Sequence, residues 1–175
     1  MLSIREGKMD RKTNDYYFNM FLNLIRATYL NVEKDWQNVA GKVGLGYAQQ
    51  HSLWILHVHD GLTLTELGNI AMWNKSTTSV LISKLEKKGL VEKRPVDEGT
   101  REIRVYLTER GRTLLEESVN TESCIEFMGL FRGFDEKELQ EFLGKLHEIC
   151  NMVGKSGQED FNQYLEVYSK SLLNK

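Results

Sequence analysis

Residues 62–107 read LTLTELGNIAMWNKSTTSVLISKLEKKGLVEKRPVDEGTREIRVYL. Thr63 precedes an apolar run and has Glu66 three residues later, the spacing at which a hydroxyl and a carboxylate cap each other's end of a new helix. Leu62 and Leu67 flank that pair as a hydrophobic staple. Asn74 can cap a second helix over 75–88, which turns Leu81 and Leu85 to a core with Thr78 and Ile82 beside them. Gly89 stops it. Two strand-like runs follow, 90–95 and 102–107, joined by the turn-rich 96–101. Helix, tight turn, helix, hairpin is a helix-turn-helix with a wing.

The rest of the chain supplies helices on both sides of this motif. Residues 13–40 lack Pro and Gly and carry Tyr17, Phe21, Leu24, Thr28 and Val32 at helical intervals, with Phe18, Ile25 and Tyr29 on another side. A helix apolar on more than one face needs more than one neighbour, so a second subunit is expected beside it. Gly41, Gly44 and Gly46 end it, and 47–59 forms a shorter helix with Leu53, Trp54, Leu56 and Val58 inward. After the wing, Thr108 caps a helix expected to run to about 131, with Leu114, Leu115, Val119, Ile125 and Met128 apolar. Asp135 with Glu138, and Ser156 with Glu159, mark two further helix starts. The expected division is a loose tail at 1–12, a dimerisation helix within 13–46, the winged motif at 47–107 and dimerisation helices at 108–175. The fold class is mainly α with a small β-hairpin. A monomer whose terminal helices merely complete one core is the alternative.

Composition excludes several classes. At 175 residues, 41% hydrophobic and 27% charged, the chain is an ordinary globule, and it has no apolar run near the roughly 18 residues of a membrane span. The opening MLSIREGKMD lacks a secretory apolar core, and the two cysteines, Cys124 and Cys150, lack CxxC spacing, so a reducing cytoplasm is expected. No GxSxG, P-loop, GxGxxG or HExxH motif points to an enzyme. His57 and His59 are two apart and His51 is six before His57, the wrong spacing for metal ligands on a helix, so neither metal nor cofactor is expected.

The net charge of −2 is unevenly spread. Between Lys75 and Arg104 there are eight basic and five acidic residues, a local +3. Scattered lysines on a solvated face would give the same sum, but here they coincide with the motif that would lie against DNA. On the second helix of the motif, Lys75, Ser76, Thr77, Ser79, Val80 and Ser83 fall away from the core. Small hydroxyls let a helix lie close in a groove, and Val80 offers a methyl surface to thymine. Asn74, Lys75, Lys84, Arg94 and Arg104 are candidates for backbone contact, with Thr65 and Asn69 on the preceding helix.

At Ser76-Thr77, Lys84-Leu85-Glu86-Lys87-Lys88-Gly89-Leu90-Val91, Arg94-Pro95 and Leu107-Thr108-Glu109-Arg110-Gly111 the chain resembles the MarR family of bacterial transcription regulators, over roughly 35–131. Glu33-Lys34-Asp35-Trp36-Gln37 with His51-Ser52-Leu53-Trp54-Ile55 is similar to its branch that regulates protease production and sporulation. The resemblance implies a homodimer paired through its first and last helices and bound to double-stranded DNA. It also implies that Arg101 is the wing arginine entering the minor groove. The family's wing aspartate is replaced by Gly99, leaving Asp97 or Glu98 to steady that arginine. Two more departures are Gly46, where the family has a capping threonine, and Val80, where a long basic residue is common. Many relatives bind small aromatic acids between the dimer helices and the winged domain, and Tyr29, Trp36 and Trp54 are the residues that would line such a pocket; core packing is the other use of such aromatics. Cys124 reads as packing, because redox sensors of the family carry their cysteine near the start of the first helix. A winged module that binds proteins and has lost DNA binding is the rival function.

Overall fold

A computed structural model describes residues 9–96, 102–122, 124, 126, 129–154 and 157–168. Asp97, Glu98, Gly99 and Arg101 of the wing turn, Ile125 and Met128, the expected cap Ser156 and residues 1–8 of the tail lie outside them. The elements are α1 (Arg11–Gly41), α2 (Tyr47–Val58), β1 (Leu62–Thr63), α3 (Leu64–Ile70), α4 (Lys75–Lys87), β2 (Val91–Pro95), β3 (Ile103–Leu107), α5 (Glu109–Val119), α6 (Glu136–Val153) and α7 (Gln158–Gln163). A π-helical turn, Tyr164–Tyr168, continues α7.

Local chemistry sets most of these boundaries. Asp10 accepts from the backbone N–H groups of Lys12 and Thr13, so α1 begins inside the stretch expected to be loose tail. Thr63 and Glu66 form the reciprocal capping box of α3 at 3.2 and 2.7 Å, and the flanking Leu62 and Leu67 are buried. Asn74 accepts from the Thr77 N–H at 2.8 Å to open α4, and Gly89, at φ +69°, closes it. Gly46 offers no side chain to its helix, yet Gln49 Oε1 takes the Gly46 N–H at 3.2 Å. Thr108 caps α5 by accepting from the Gly111 N–H.

Two expectations are corrected. The helix after the wing ends at Val119 rather than near 131. Thr121 donates to the Ser118 carbonyl and accepts from the Cys124 N–H, so its hydroxyl terminates one turn and starts the next. On α4 the buried residues are Thr78, Ile82 and Leu85, whereas Leu81 is only half-buried.

The sheet is antiparallel in the order β1-β3-β2, and β1 is a strand that local pattern did not announce. It exists because Leu62 and Thr63 pair with Val105 and Arg104. The core lies between the sheet and the helices: Leu53, Ile55 and Leu56 of α2, Leu67 of α3, Ile82 and Leu85 of α4, and Val105 of β3 are fully buried. Gly111 seats α5 on this core. A Cβ there would stand 2.1 Å from the Leu90 carbonyl oxygen, so the approach admits only glycine. No described helix is long and apolar enough to cross a membrane.

Candidate nucleic-acid interface

With Thr78, Ile82 and Leu85 sealed against the core, Ser76, Val80, Ser83 and Lys87 recur at steps of four, three and four along the opposite side of α4. Ser76, Thr77, Ser79, Val80 and Lys84 are exposed, and Val80 keeps 54% of its surface accessible. Lys75 is exposed at the helix start, and Thr65 is exposed on α3. Asn74 is committed locally: its Oδ1 also accepts from the Ser76 hydroxyl at 2.6 Å. The structure places Ser76, Val80 and Ser83 in one strip with Thr77 and Ser79 exposed on its two flanks, and adds Lys87 at its far end.

The basic residues divide into two groups. Among the described residues Lys75, Lys84 and Lys87 make no ion pair and stand out into solvent. Others are held within the protein. Lys93 pairs with Glu86 at 2.7 Å, and Lys88 donates to the Gly44 carbonyl at 2.9 Å. Arg94 pairs with Glu92 and lies 4.8 Å from the centroid of the Tyr106 ring. Arg104 donates to the Gly61 carbonyl at 2.8 Å and pairs with Glu102 at 3.0 Å and Glu66 at 3.5 Å. Arg94 and Arg104 face each other across β2 and β3, and their glutamate partners offset a like-charge pair that is otherwise destabilising. Arg104, expected at the DNA, is a clamp between the wing and the α3 cap. Burial raises the Glu66 carboxyl, but the Thr63 hydrogen bonds and the Arg104 charge outweigh it and hold the group below its ordinary value. Asn69 is likewise engaged, donating to Asp160 Oδ2 at 2.6 Å.

A model of the MarR family matches residues 45–103, the region of this motif. The chain is 32% identical over 155 residues to the HTH-type transcriptional regulator Hpr of Exiguobacterium sibiricum, covering 89% of this chain and 80% of that one. The chain belongs to the MarR family. A second relative of this MarR-family chain is the DNA-binding transcriptional repressor ScoC of Bacillus subtilis, 27% identical over 97% of this chain and 82% of that one. Among solved structures, a MarR family regulator from Silicibacter pomeroyi superposes with a TM-score of 0.65 at 28% identity, over 74% of this chain and 87% of that one. These relatives are transcription regulators rather than enzymes.

Between α1, α2 and α5 of this MarR-family fold lies an apolar cavity of about 210 Å³, lined by Trp36, Val39, Gln50, Trp54, Leu115, Val119 and Cys124. Trp36 and Trp54 are there; Tyr29 is not. It is 56% exposed on α1 and interacts with Tyr47, whose hydroxyl is pushed up to about 12 by burial and then by Tyr29 and Glu33. The polar groups at the cavity wall are linked to one another: Trp36 Nε1 donates to Gln50 Oε1 at 2.7 Å, Gln50 Nε2 to Ser118 Oγ at 2.6 Å, and Ser118 Oγ to the Leu115 carbonyl at 2.7 Å. Burial raises the Cys124 thiol, which makes it a packing group rather than a ready thiolate.

His51 sits between Trp36, at 4.8 Å, and Trp73, at 5.6 Å between ring centroids, so one ring joins α1 and α2 to the turn of the motif. Burial depresses it to about 4, keeping it neutral. Asp60 was not anticipated from sequence. Its Oδ1 accepts from the Gly61 and Leu107 N–H groups and its Oδ2 from Arg112 at 2.6 Å, which ties the end of α2 to β3 and α5. An aspartate before a glycine signals only a turn; its reach of 47 and 52 residues along the chain has no local signature.

Proposed function

We propose that this MarR-family chain is a homodimeric repressor that binds a pseudo-palindromic operator in the cytoplasm. The observation that carries the reading is the strip on α4: hydroxyls, one valine and unpaired lysines presented opposite a sealed core. Ser76, Thr77, Ser79, Val80 and Ser83 would read or line the groove, while Thr65, Lys75, Lys84 and Lys87 neutralise phosphate. Arg101 is carried as the minor-groove residue on the family resemblance alone, and Arg94 as a backbone contact from the base of the wing. The dimer is supported by the apolar residues of α1 and α6 that stay exposed among the described residues, Phe18, Leu22, Leu24, Phe142 and Leu143 among them. Two α4 helices related by a two-fold would enter successive major grooves about 34–36 Å apart.

An effector is part of the proposal, and the cavity argues for its class. No described lining residue is basic, and its polar groups already bond each other, so a carboxylate would enter without a partner. An uncharged aromatic molecule fits better than the aromatic acids of many relatives. Thermal shifts with neutral phenols but not with benzoate-like anions are expected; stabilisation by the anions alone would overturn this assignment.

Selection from a randomised duplex library, followed by titration of the winner across salt, tests the main reading. Enrichment of an inverted repeat with half-sites about one helical turn apart, and affinity falling steeply with salt, is expected. Arg101→Ala should weaken binding while the dimer persists. Absence of any enrichment, in cell extract as well as in buffer, would favour a protein-binding module instead.

A further inference from the structure

We infer that α7 and the π-helical turn after it form a positioning hook, with Asn69 and Asp160 as its key residues, that sets the angle of the reading head relative to the dimerisation helices and thereby the operator spacing. The inference rests on the homodimer reading above.

The two C-terminal helices are placed differently, although neither α6 nor α7 has a fully buried residue. None of the 18 residues of α6 is buried in the chain, and Phe142 and Leu143 are 57% and 44% exposed. By contrast α7 packs back onto α3, the first helix of the DNA-binding motif. Three features hold it there. Asp160 Oδ2 accepts from Asn69 Nδ2 at 2.6 Å, a charge-assisted bond. Gly157 has φ +91°, and a Cβ on it would stand 2.6 Å from Asn69 Cγ, so both the turn and the close approach require glycine. Tyr164 is 8% exposed within the main core, with Leu165 packed against that core.

The hook is also tied to α6. Gln158 Nε2 donates to Asn151 Oδ1 and Asn162 Oδ1, Asn162 Nδ2 donates to Asn151 Oδ1 at 2.9 Å, and His147 Nε2 lies 3.0 Å from Asn162 Oδ1. A continuous set of contacts therefore runs from α6, through four polar side chains, to Asp160, Asn69 and α3, which packs on α4. If α6 is held by the partner, each reading helix is referenced to the two-fold axis through this hook. Releasing it frees the head to pivot. A pivoting head accepts several half-site separations, and each costs ordering entropy on binding.

A shield is the competing role, because Asp160 bonds a residue one helical turn from Thr65 and its charge would repel a phosphate there. The two roles predict opposite effects. The experiment uses the full chain and operators whose half-site spacing is changed by zero, one or two base pairs, with dimer state read by sedimentation and folding by thermal melts. Wild type is expected to discriminate against a two-base-pair change by roughly tenfold or more. Asp160→Ala should reduce that to about twofold and weaken binding to the preferred spacing, with the dimer intact. Asp160→Asn keeps an acceptor and should retain discrimination. Asn69→Asp should lose it, and Asn69→Asp with Asp160→Asn should recover it by reversing the donor and acceptor. A merely structural contact would lower the melting temperature and leave spacing preference unmoved, which overturns the inference. Tighter binding by Asp160→Ala overturns it in favour of the shield. A wild-type chain that sediments as a monomer at operator-binding concentrations removes the homodimer reading, and the hook's role with it.

Discussion

Helices α1 and α2 follow each other in the chain, and both carry large apolar residues, but they meet different fates. In α2, which packs on α1, α3, α4, α5 and β3, Leu53, Ile55 and Leu56 are completely buried. In α1, only Val39 and Ala40 at its last turns are buried, whereas Phe18, Leu22, Leu24 and Ile25 remain 40–60% exposed. The core of the winged head is thus closed, with Ala40 of α1 and Tyr164 of the C-terminal turn contributing to it, while α1 presents an apolar surface of the kind that monomers rarely leave open. The difference teaches that similar apolar content is closed into a core around α2 and left open along residues 18–25 of α1.

Truncation inside the head should produce the largest effect. Leu53→Ala is expected to cost about 2–5 kcal/mol in denaturant unfolding, because the void it leaves is walled on all sides. A loss below about 1 kcal/mol would mean the head is less closely packed than α2 implies. On α1 the same kind of lesion should act on association. Ile25→Asp is expected to raise the dimer dissociation constant about a hundredfold, roughly 2.7 kcal/mol, measured by sedimentation over a concentration series. Unchanged association would break the comparison by showing that this face of α1 is not the interface.

His51 joins the two regions and should register in pH. Its folded value lies near 4 against an ordinary 6.5, so the unfolded chain binds more protons between those limits. The stability it contributes is complete above about pH 6.5 and is lost as pH falls toward 4. The loss should be of the order of 2 kcal/mol, allowing for partial solvent access. His51→Phe should flatten that part of the melting profile; an identical pH dependence would show that the ring does not titrate through folding. The smallest effect belongs to the surface. Lys87→Ala should lower operator affinity by about 1 kcal/mol and reduce the salt slope by about one, whereas Lys93→Ala, already paired with Glu86, should leave the slope nearly unchanged.

The elements that local chemistry governs were legible without a structure. The Thr63–Glu66 box, the Asn74 cap, the Gly89 stop and the polar strip of α4 all depend on residues within about one helical turn of each other. The error at 108–131 is of the same local kind: apolar periodicity continues through the break, and the capping hydroxyl of Thr121 outweighs it. For the candidate site, hydroxyls and lysines on α4 followed from helical phase. The engagement of Arg104 and Asn69 did not, because their partners Glu66, Gly61 and Asp160 are 38, 43 and 91 residues away.

By itself, then, the sequence determined where α3, α4 and α5 start, where α4 stops and which face of α4 is polar, since caps and periodicity act over a few residues. Only the tertiary structure decided which charges remain available to a phosphate, where Tyr29 lies relative to the cavity, and that α7 returns to α3. Those outcomes depend on distances between residues far apart in the chain, and electrostatic pairing and close packing act through space rather than along the backbone.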